Sequence, residues 1–339
     1  MNLENSFKDC KIYSLGEKSK INWLKGILIH VPVNEQFHFG YILFLPENVK
    51  ESTTLIVEGS NVDCSTDNIE EANANILKTG LYPSLPIYDI ANELGLPILY
   101  PLFPRIYNGR ETIYNHMLAT NSIVNSTPKQ KEHGLERVDL QLLSMFEDAR
   151  KRLKNSGFHI DQKFIIDGFS ASAKFANRFT LLHPEYIKMC IAGGVSGILT
   201  LPIKELNNQR LLWPVGLGNI EELTGVEFND DKIEQFKDIP QIYYMGGQDS
   251  NNPFVFNENY EPRYSGMINQ QELEQIYQIF GNSMSERWVK SQELYKELGV
   301  NSSFYTYDGF GHDPRPAKQD ILLEIDSLLN NEMKDVKTK

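Results

Sequence analysis

From residue 53 onward the chain alternates short apolar runs with amphipathic stretches of helix length, and this alternation restricts the possible fold more than any other feature. The runs read TTLIVEG, LPILYPLF, KFIIDGF, IKMCIAGG, IPQIYYMGG and SSFYTYDGF. Each is apolar at consecutive positions and bounded by turn-forming residues, the pattern of a strand buried on both faces of a sheet. Between them, Val138, Leu142, Met145, Phe146, Ala149 and Leu153 recur at spacings of three and four and make one helical stripe. Ala173, Ala176, Phe179 and Leu182 make another, which stops at His183-Pro184 because proline cannot continue a helix. Ser283 and Glu286 form a capping box for a helix running through Trp288, Gln292 and Tyr295. A last helix follows Pro314 and Pro316, with Ile321, Leu322, Ile325, Leu328 and Leu329 facing inward.

Ahead of this alternation, LKGILIHVPV (24–33) and FHFGYILFL (37–45) flank a polar turn at Asn34 and Glu35 and read as an antiparallel hairpin. The whole predicts an α/β fold: a mostly parallel central sheet, helices on both faces, and the N-terminal hairpin at one edge. Three stretches, 59–84, 104–134 and 195–238, exceed the roughly 15 residues of an ordinary connection, and all follow strands, so they emerge at the carboxyl edge where such folds bind ligands. The third, with Leu211 and Trp213-Pro214, is expected to be a packed cap inserted after the sixth strand of a single domain spanning 1–339. The tail NNEMKDVKTK is expected to fray.

Composition narrows the function. With 33 Lys+Arg against 45 Asp+Glu the net charge is −12, which disfavours binding to nucleic acid and to a strongly anionic polymer. The 41% hydrophobic and 23% charged residues are ordinary for a soluble globular protein. No run reaches the roughly 20 apolar residues that span a bilayer, and the first residues lack a charged segment followed by an apolar core, so the expected location is cytoplasmic. The 3 cysteines (Cys10, Cys64, Cys190) lack C-x-x-C spacing and are expected to be reduced, and the 7 histidines show no metal-ligand spacing, so neither a metal nor a cofactor is expected. A small-molecule ester is the expected partner, and a homo-oligomer is left open.

The strongest chemical signal is KFIIDGFSASAKFANRF, a strand ending at Asp167-Gly168, a turn through Phe169-Ser170-Ala171-Ser172, then a helix. A nucleophilic serine at such a turn needs small residues two before and two after, and Gly168 and Ser172 meet that need, Ser172 standing where glycine is commoner. Taken by itself, the segment fits equally a Ser170 that merely caps the helix. A serine nucleophile also requires a histidine base oriented by a carboxylate. Asp249, after IPQIYYMGG, and His312, after SSFYTYDGF, each lie just past a strand's carboxyl end, on the edge where Ser170 lies. Asp249 also suits an Asx-turn, and Asp230, Asp231, Asp308 and Asp313 are rival carboxylates, but Asp249 alone combines a strand terminus with a place between Ser170 and His312.

On GFSASAKFANRFTLLHPE, GGQDS and YDGFGHDP the chain resembles the α/β-hydrolases of the serine-esterase type over essentially residues 24–330, with an elbow similar to polyhydroxyalkanoate-depolymerase-like and feruloyl-esterase-like bacterial enzymes. Ser170, Asp249 and His312 follow the nucleophile, acid, histidine order of that fold. The resemblance implies an oxyanion hole from the backbone N–H of Ala171 and of a loop reading Glu58-Gly59-Ser60-Asn61, with Ser60 the expected donor and Asn61 the second. It implies a carboxylic ester hydrolase; a peptidase or amidase on the same fold, or a catalytically silent binding protein, are the alternatives. Aspartate-nucleophile dehalogenation is disfavoured by the serine at the elbow. Arg105, after a strand at the active edge, is a candidate for binding a substrate carboxylate, with a solvated loop arginine as the alternative; Tyr107, Tyr114, His116, Trp213 and Phe254 are candidate pocket residues, each at least equally suited to packing.

Overall fold

The computed structural model describes residues 3, 5–15, 24–61, 85–108, 111–114, 116–124, 128–254 and 270–337, with the side chains of 106–108, 111–113, 128–129 and 332–337 outside that set. Nine strands form the central sheet: β1 Lys11–Ser14, β2 Gly26–Val31, β3 Tyr41–Pro46, β4 Ile56–Glu58, β5 Ile98–Pro101, β6 Phe164–Phe169, β7 Ile187–Gly193, β8 Gln241–Gly246 and β9 Ser302–Tyr307. Their order across the sheet is β1-β2-β3-β5-β4-β6-β7-β8-β9. The first three strands and the β3–β5 pair are antiparallel, and every pair from β5 to β9 is parallel. All six apolar runs supply a strand, and the hairpin pairs Val31 with Tyr41.

The buried strands alternate face by face, as a pleated sheet requires. Val57, Phe164, Ile166, Cys190, Ala192 and Tyr243 belong to one core with the helices α2 Val138–Asn155, α3 Ala171–Leu182, α4 Asp230–Asp238, α5 Gln270–Phe280 and α6 Met284–Glu297. Ile56, Ile165, Met189, Ile191 and Ile242 face the opposite core, closed by α1 Pro86–Leu94 and α7 Lys318–Lys337. Leu142, Met145 and Phe146 of the predicted stripe are fully buried, each stabilising by about 1.5–3 kcal/mol relative to exposure. The Ser283 capping box is formed, with Ser283 Oγ accepting from Glu286 N–H and Glu286 Oε2 accepting from Ser283 N–H.

Two features depart from the sequence expectation. β1 was not foreseen: it is exposed at all four positions, so no apolar period marks it, and it adds to the hairpin by backbone pairing alone. The cap stretch consequently follows the seventh strand rather than the sixth. The tail does not fray at Asn330 but continues α7 to Lys337, because no glycine or proline interrupts it. Among the described residues no helix is long and apolar enough to cross a membrane.

Residues 195–238 carry a short ribbon, Glu205–Leu206 paired with Gln209–Arg210, a helix Ile220–Thr224, and α4. Leu199, Leu201, Leu211, Trp213, Val215, Leu217 and Ile220 merge into the α2/α3 core, so this stretch is continuous with the body of the domain.

Candidate active site

β6 delivers the chain to Ser170, which sits at φ 66° and ψ −115°, a conformation that side-chain-bearing residues rarely adopt. Its side chain makes no capping bond to α3, although Ser170 occupies the N-cap position, and its N–H donates to Gly193 O at 2.8 Å. The turn is held open for it by absent side chains. A Cβ on Gly168 would lie 2.4 Å from Ser172 O, and one on Gly59 would lie 2.7 Å from Ser172 Cβ. Ser172 fits where glycine is commoner because its hydroxyl folds back onto the turn, accepting from Phe169 N–H and donating to Phe169 O, both at 3.0 Å.

β8 and β9 end side by side, and the loops beyond them interlock so closely that a Cβ on Gly246 would meet Gly311 O at 2.1 Å. This places Asp249 against His312, whose Nδ1–H donates to Asp249 Oδ2 at 2.7 Å. Asp249 Oδ1 also accepts from Asn251 N–H at 2.9 Å, so the Asx-turn and the histidine contact coexist in one carboxylate. Of the rival carboxylates, Asp313 accepts from Arg315 and Asp230 and Asp231 start α4. The other imidazole nitrogen, His312 Nε2, accepts from Asn251 Nδ2 at 3.0 Å. The ring rests 4.6 Å from that of Phe169, the residue before Ser170, and its Cε1 would be 2.8 Å from a Cβ on Gly194.

The loop after β4 is anchored on the elbow. Gly59 N–H donates to Asp167 O at 2.9 Å, Asn61 Nδ2 donates to Phe169 O at 3.0 Å, and Ser60 Oγ donates to Phe103 O at 3.2 Å. Arg105 donates to Asn61 Oδ1 at 3.1 Å, so this arginine braces the loop. Ala171 opens α3 immediately after Ser170.

A cavity of about 230 Å³ lies here, lined by Glu58, Gly59, Asn61, Leu85, Tyr100, Phe169, Ser172, His312 and Pro314. Glu58 ends β4 and stands in register with Asp167 on β6, and the two carboxyls are hydrogen bonded to each other. Glu58 is 1% exposed and Asp167 5%. Burial drives the Glu58 carboxyl well above the usual carboxylate range, and the neighbouring Asp167 charge adds to the effect. Burial lifts Asp167 to about 6, opposed by the bonds from Glu58 and the Gly168 backbone. The two carboxyls therefore share one proton and titrate as a pair, which carries a single negative charge at neutral pH.

The other expected pocket residues stand elsewhere. Trp213 is wholly buried and donates from Nε1 to Leu118 O at 3.0 Å. His116 and Tyr114 pack edge to face within the core, with ring centres 5.1 Å apart. Phe254 is buried under Lys174, whose Nζ lies 4.6 Å from its ring centre. Tyr107 falls in the strand Ile106–Asn108, whose side chains lie outside the described residues. Glu58, Asp167 and Asn251 were not singled out from the sequence. Two adjacent buried strands each ending in an acid followed by glycine, IVEG and IIDG, are the signal for the first two, whereas no pattern marks Asn251.

The strand order, the elbow after β6 and the histidine loop after β9 define the α/β-hydrolase fold. Solved structures agree. A poly(3-hydroxybutyrate) depolymerase, LpqC, from Bordetella parapertussis is similar at a TM-score of 0.53 with 14% identity, over 87% of this chain and 87% of that one. Poly(aspartic acid) hydrolase-1 from Sphingomonas sp. KT-1 is similar at a TM-score of 0.52 with 14% identity, over 86% of this chain and 96% of that one. No protein-family model and no curated protein matches the sequence.

Proposed function

We propose that the chain is a serine hydrolase that cleaves carboxylic esters through an acyl-enzyme. The observation that supports this reading is the strained backbone of Ser170 at a strand-to-helix turn, where the preceding residue, Phe169, packs against a histidine bonded to an aspartate with a buried side chain. A strained conformation of this kind persists only where the surrounding structure enforces it, and it clusters at reactive residues. In the reaction, His312 Nε2 exchanges the Asn251 amide for the Ser170 hydroxyl and takes its proton as Oγ bonds to the ester carbonyl carbon. The N–H groups of Ala171 and Ser60, with Asn61 second, hold the oxyanion. Asp249 keeps Nδ1 protonated and stabilises the imidazolium, which then passes its proton to the leaving alcohol. Water reverses the sequence and releases the acid. Residues 195–238 act as a fixed cap, and 1–339 as one domain. No cofactor or metal takes part in this scheme.

The fold likeness to a poly(3-hydroxybutyrate) depolymerase is compatible with ester substrates, and the net charge of −12 favours small neutral or cationic ones. A peptidase or amidase is the second reading, favoured by the singly charged Glu58 and Asp167 pair at the cavity, because a buried acidic pair by the elbow suits a free amino group. The test is turnover of p-nitrophenyl butyrate by wild type and Ser170→Ala. The variant should lose about three orders of magnitude or more in kcat, and near wild-type turnover would exclude Ser170 as nucleophile.

A further inference from the structure

The acidic pair beneath the elbow is an unusual thing to bury. Glu58 and Asp167 sit side by side at the carboxyl ends of β4 and β6, directly before Gly59 and two residues before Phe169, and neither has an ion-pair partner among the described residues. Glu58 Oε2 and Asp167 Oδ1 are buried and have no hydrogen-bond partner there. A buried carboxylate is ordinarily paired with a cation or fully hydrogen bonded, since an uncompensated one destabilises the fold by several kcal/mol. The groups facing the pair are Tyr88 from α1, Tyr100 from β5, Cys190 from β7, Tyr244 from β8, and His312 across the cavity. None of the first four is a cation, and His312 is committed to Asp249 and Asn251. The cavity that Glu58 lines opens onto the elbow beside Phe169 and Ser172.

We propose that Glu58 and Asp167 form an anionic subsite that receives a primary ammonium group carried on the acyl chain of the substrate, a few bonds from the scissile carbonyl. The inference rests on the serine-hydrolase reading and supplies its substrate class: short aminoacyl esters, or the corresponding amides. An ammonium offers three donors, and Glu58 Oε2 supplies an acceptor that nothing else occupies. A charge-assisted bond made only by the aminated substrate would favour it over its methyl isostere by about 10- to 100-fold. The pair determines specificity through its single charge, and neither carboxyl takes part in proton transfer to the ester.

The experiment compares kcat/KM at pH 8 for three isosteric methylumbelliferyl esters, the aminopropanoyl, hydroxypropanoyl and butanoyl esters, with wild type, Glu58→Gln and the double variant Glu58→Gln/Asp167→Asn. The wild type should prefer the aminated ester over the butanoyl ester by about tenfold or more. Glu58→Gln keeps the bond to Asp167 and the pair's single charge, and should retain the preference. The double variant is isosteric but neutral, and should bring the ratio close to one. In wild type the preference should also fall away as pH drops through about 6, where Asp167 takes a proton. A wild-type ratio near one, an equal preference for the hydroxylated ester, or an undiminished ratio in the double variant would overturn the proposal. Failure of the wild type to cleave any of the three would instead overturn the ester-hydrolase reading on which it rests.

Discussion

Gly59 and Ser172 stand so close that a Cβ on the glycine would come within 2.7 Å of the serine's own Cβ, which ties the loop after β4 to the first turn of α3. The contact couples the proposed oxyanion donor Ser60 to the elbow. Gly59→Ala should push the two apart and lower kcat/KM for a p-nitrophenyl ester by about tenfold or more, since one misplaced oxyanion donor is worth about 3 kcal/mol. Ser172→Gly removes the obstructing atom. Adding it to Gly59→Ala should recover most of the loss, and a double-mutant cycle read in kcat/KM checks this. Additive losses would mean that the two residues do not share a contact.

Asn251 occupies His312 Nε2, the nitrogen that accepts the Ser170 proton in the proposed mechanism. In the proposed mechanism that bond must break before His312 can act, so Asn251→Ala should raise kcat/KM for a small ester by a few-fold. Steady-state kinetics on a p-nitrophenyl ester decide the matter. A tenfold fall would instead make the amide a support that holds the imidazole in place.

Asp139 is wholly buried in the first turn of α2, where it accepts from Arg137 Nε at 2.9 Å and Nη2 at 2.7 Å and contacts His183 Nε2 at 2.9 Å. It thereby joins the start of α2 to the end of α3. Burial alone would raise its carboxyl, but the bonds from His183 and Arg137 outweigh that and hold it well below the usual carboxylate range. Its stabilisation is therefore present above about pH 4 and is lost as pH falls through the lowered folded value. Asp139→Asn should lower stability by about 3 kcal/mol in urea unfolding at pH 7, with the gap shrinking below about pH 4.

The Glu58 and Asp167 pair has the opposite sign. Asp167 is lifted from 3.8 to about 6 in the fold, so its favourable contribution is complete below 3.8 and is lost as pH rises through about 6. Relative to wild type, Glu58→Gln/Asp167→Asn should gain about 1 kcal/mol or more in unfolding free energy between pH 5 and pH 8. Denaturant unfolding at the two values measures the gain, and an unchanged difference would mean that the pair does not titrate in the folded protein.

Most of the fold was legible because burial on both sheet faces writes itself into the sequence as unbroken apolar runs: KFIIDGF and IKMCIAGG announce β6 and β7 without help from context. β1 was not legible, since its four residues are exposed and are recruited only by the edge of β2. The elbow was readable because a positive φ at Ser170 demands small neighbours, and Gly168 and Ser172 are visible as letters. Cross-chain contacts were not: Asn251 against His312 is set by two loops 61 residues apart, and Glu58 against Asp167 by strand register. The aromatics Trp213 and His116 illustrate the converse, since their loop positions suggest a pocket while tertiary packing draws them into the core.

The central claim, that Ser170 is a nucleophile activated by His312, is tested most directly by fluorophosphonate labelling of the intact protein followed by peptide mass spectrometry. The wild type should carry a single phosphonyl group on the peptide containing Ser170, while Ser170→Ala should stay unlabelled and His312→Ala should label far more slowly. An unlabelled wild type, or a phosphonyl group on any other residue, would contradict the account.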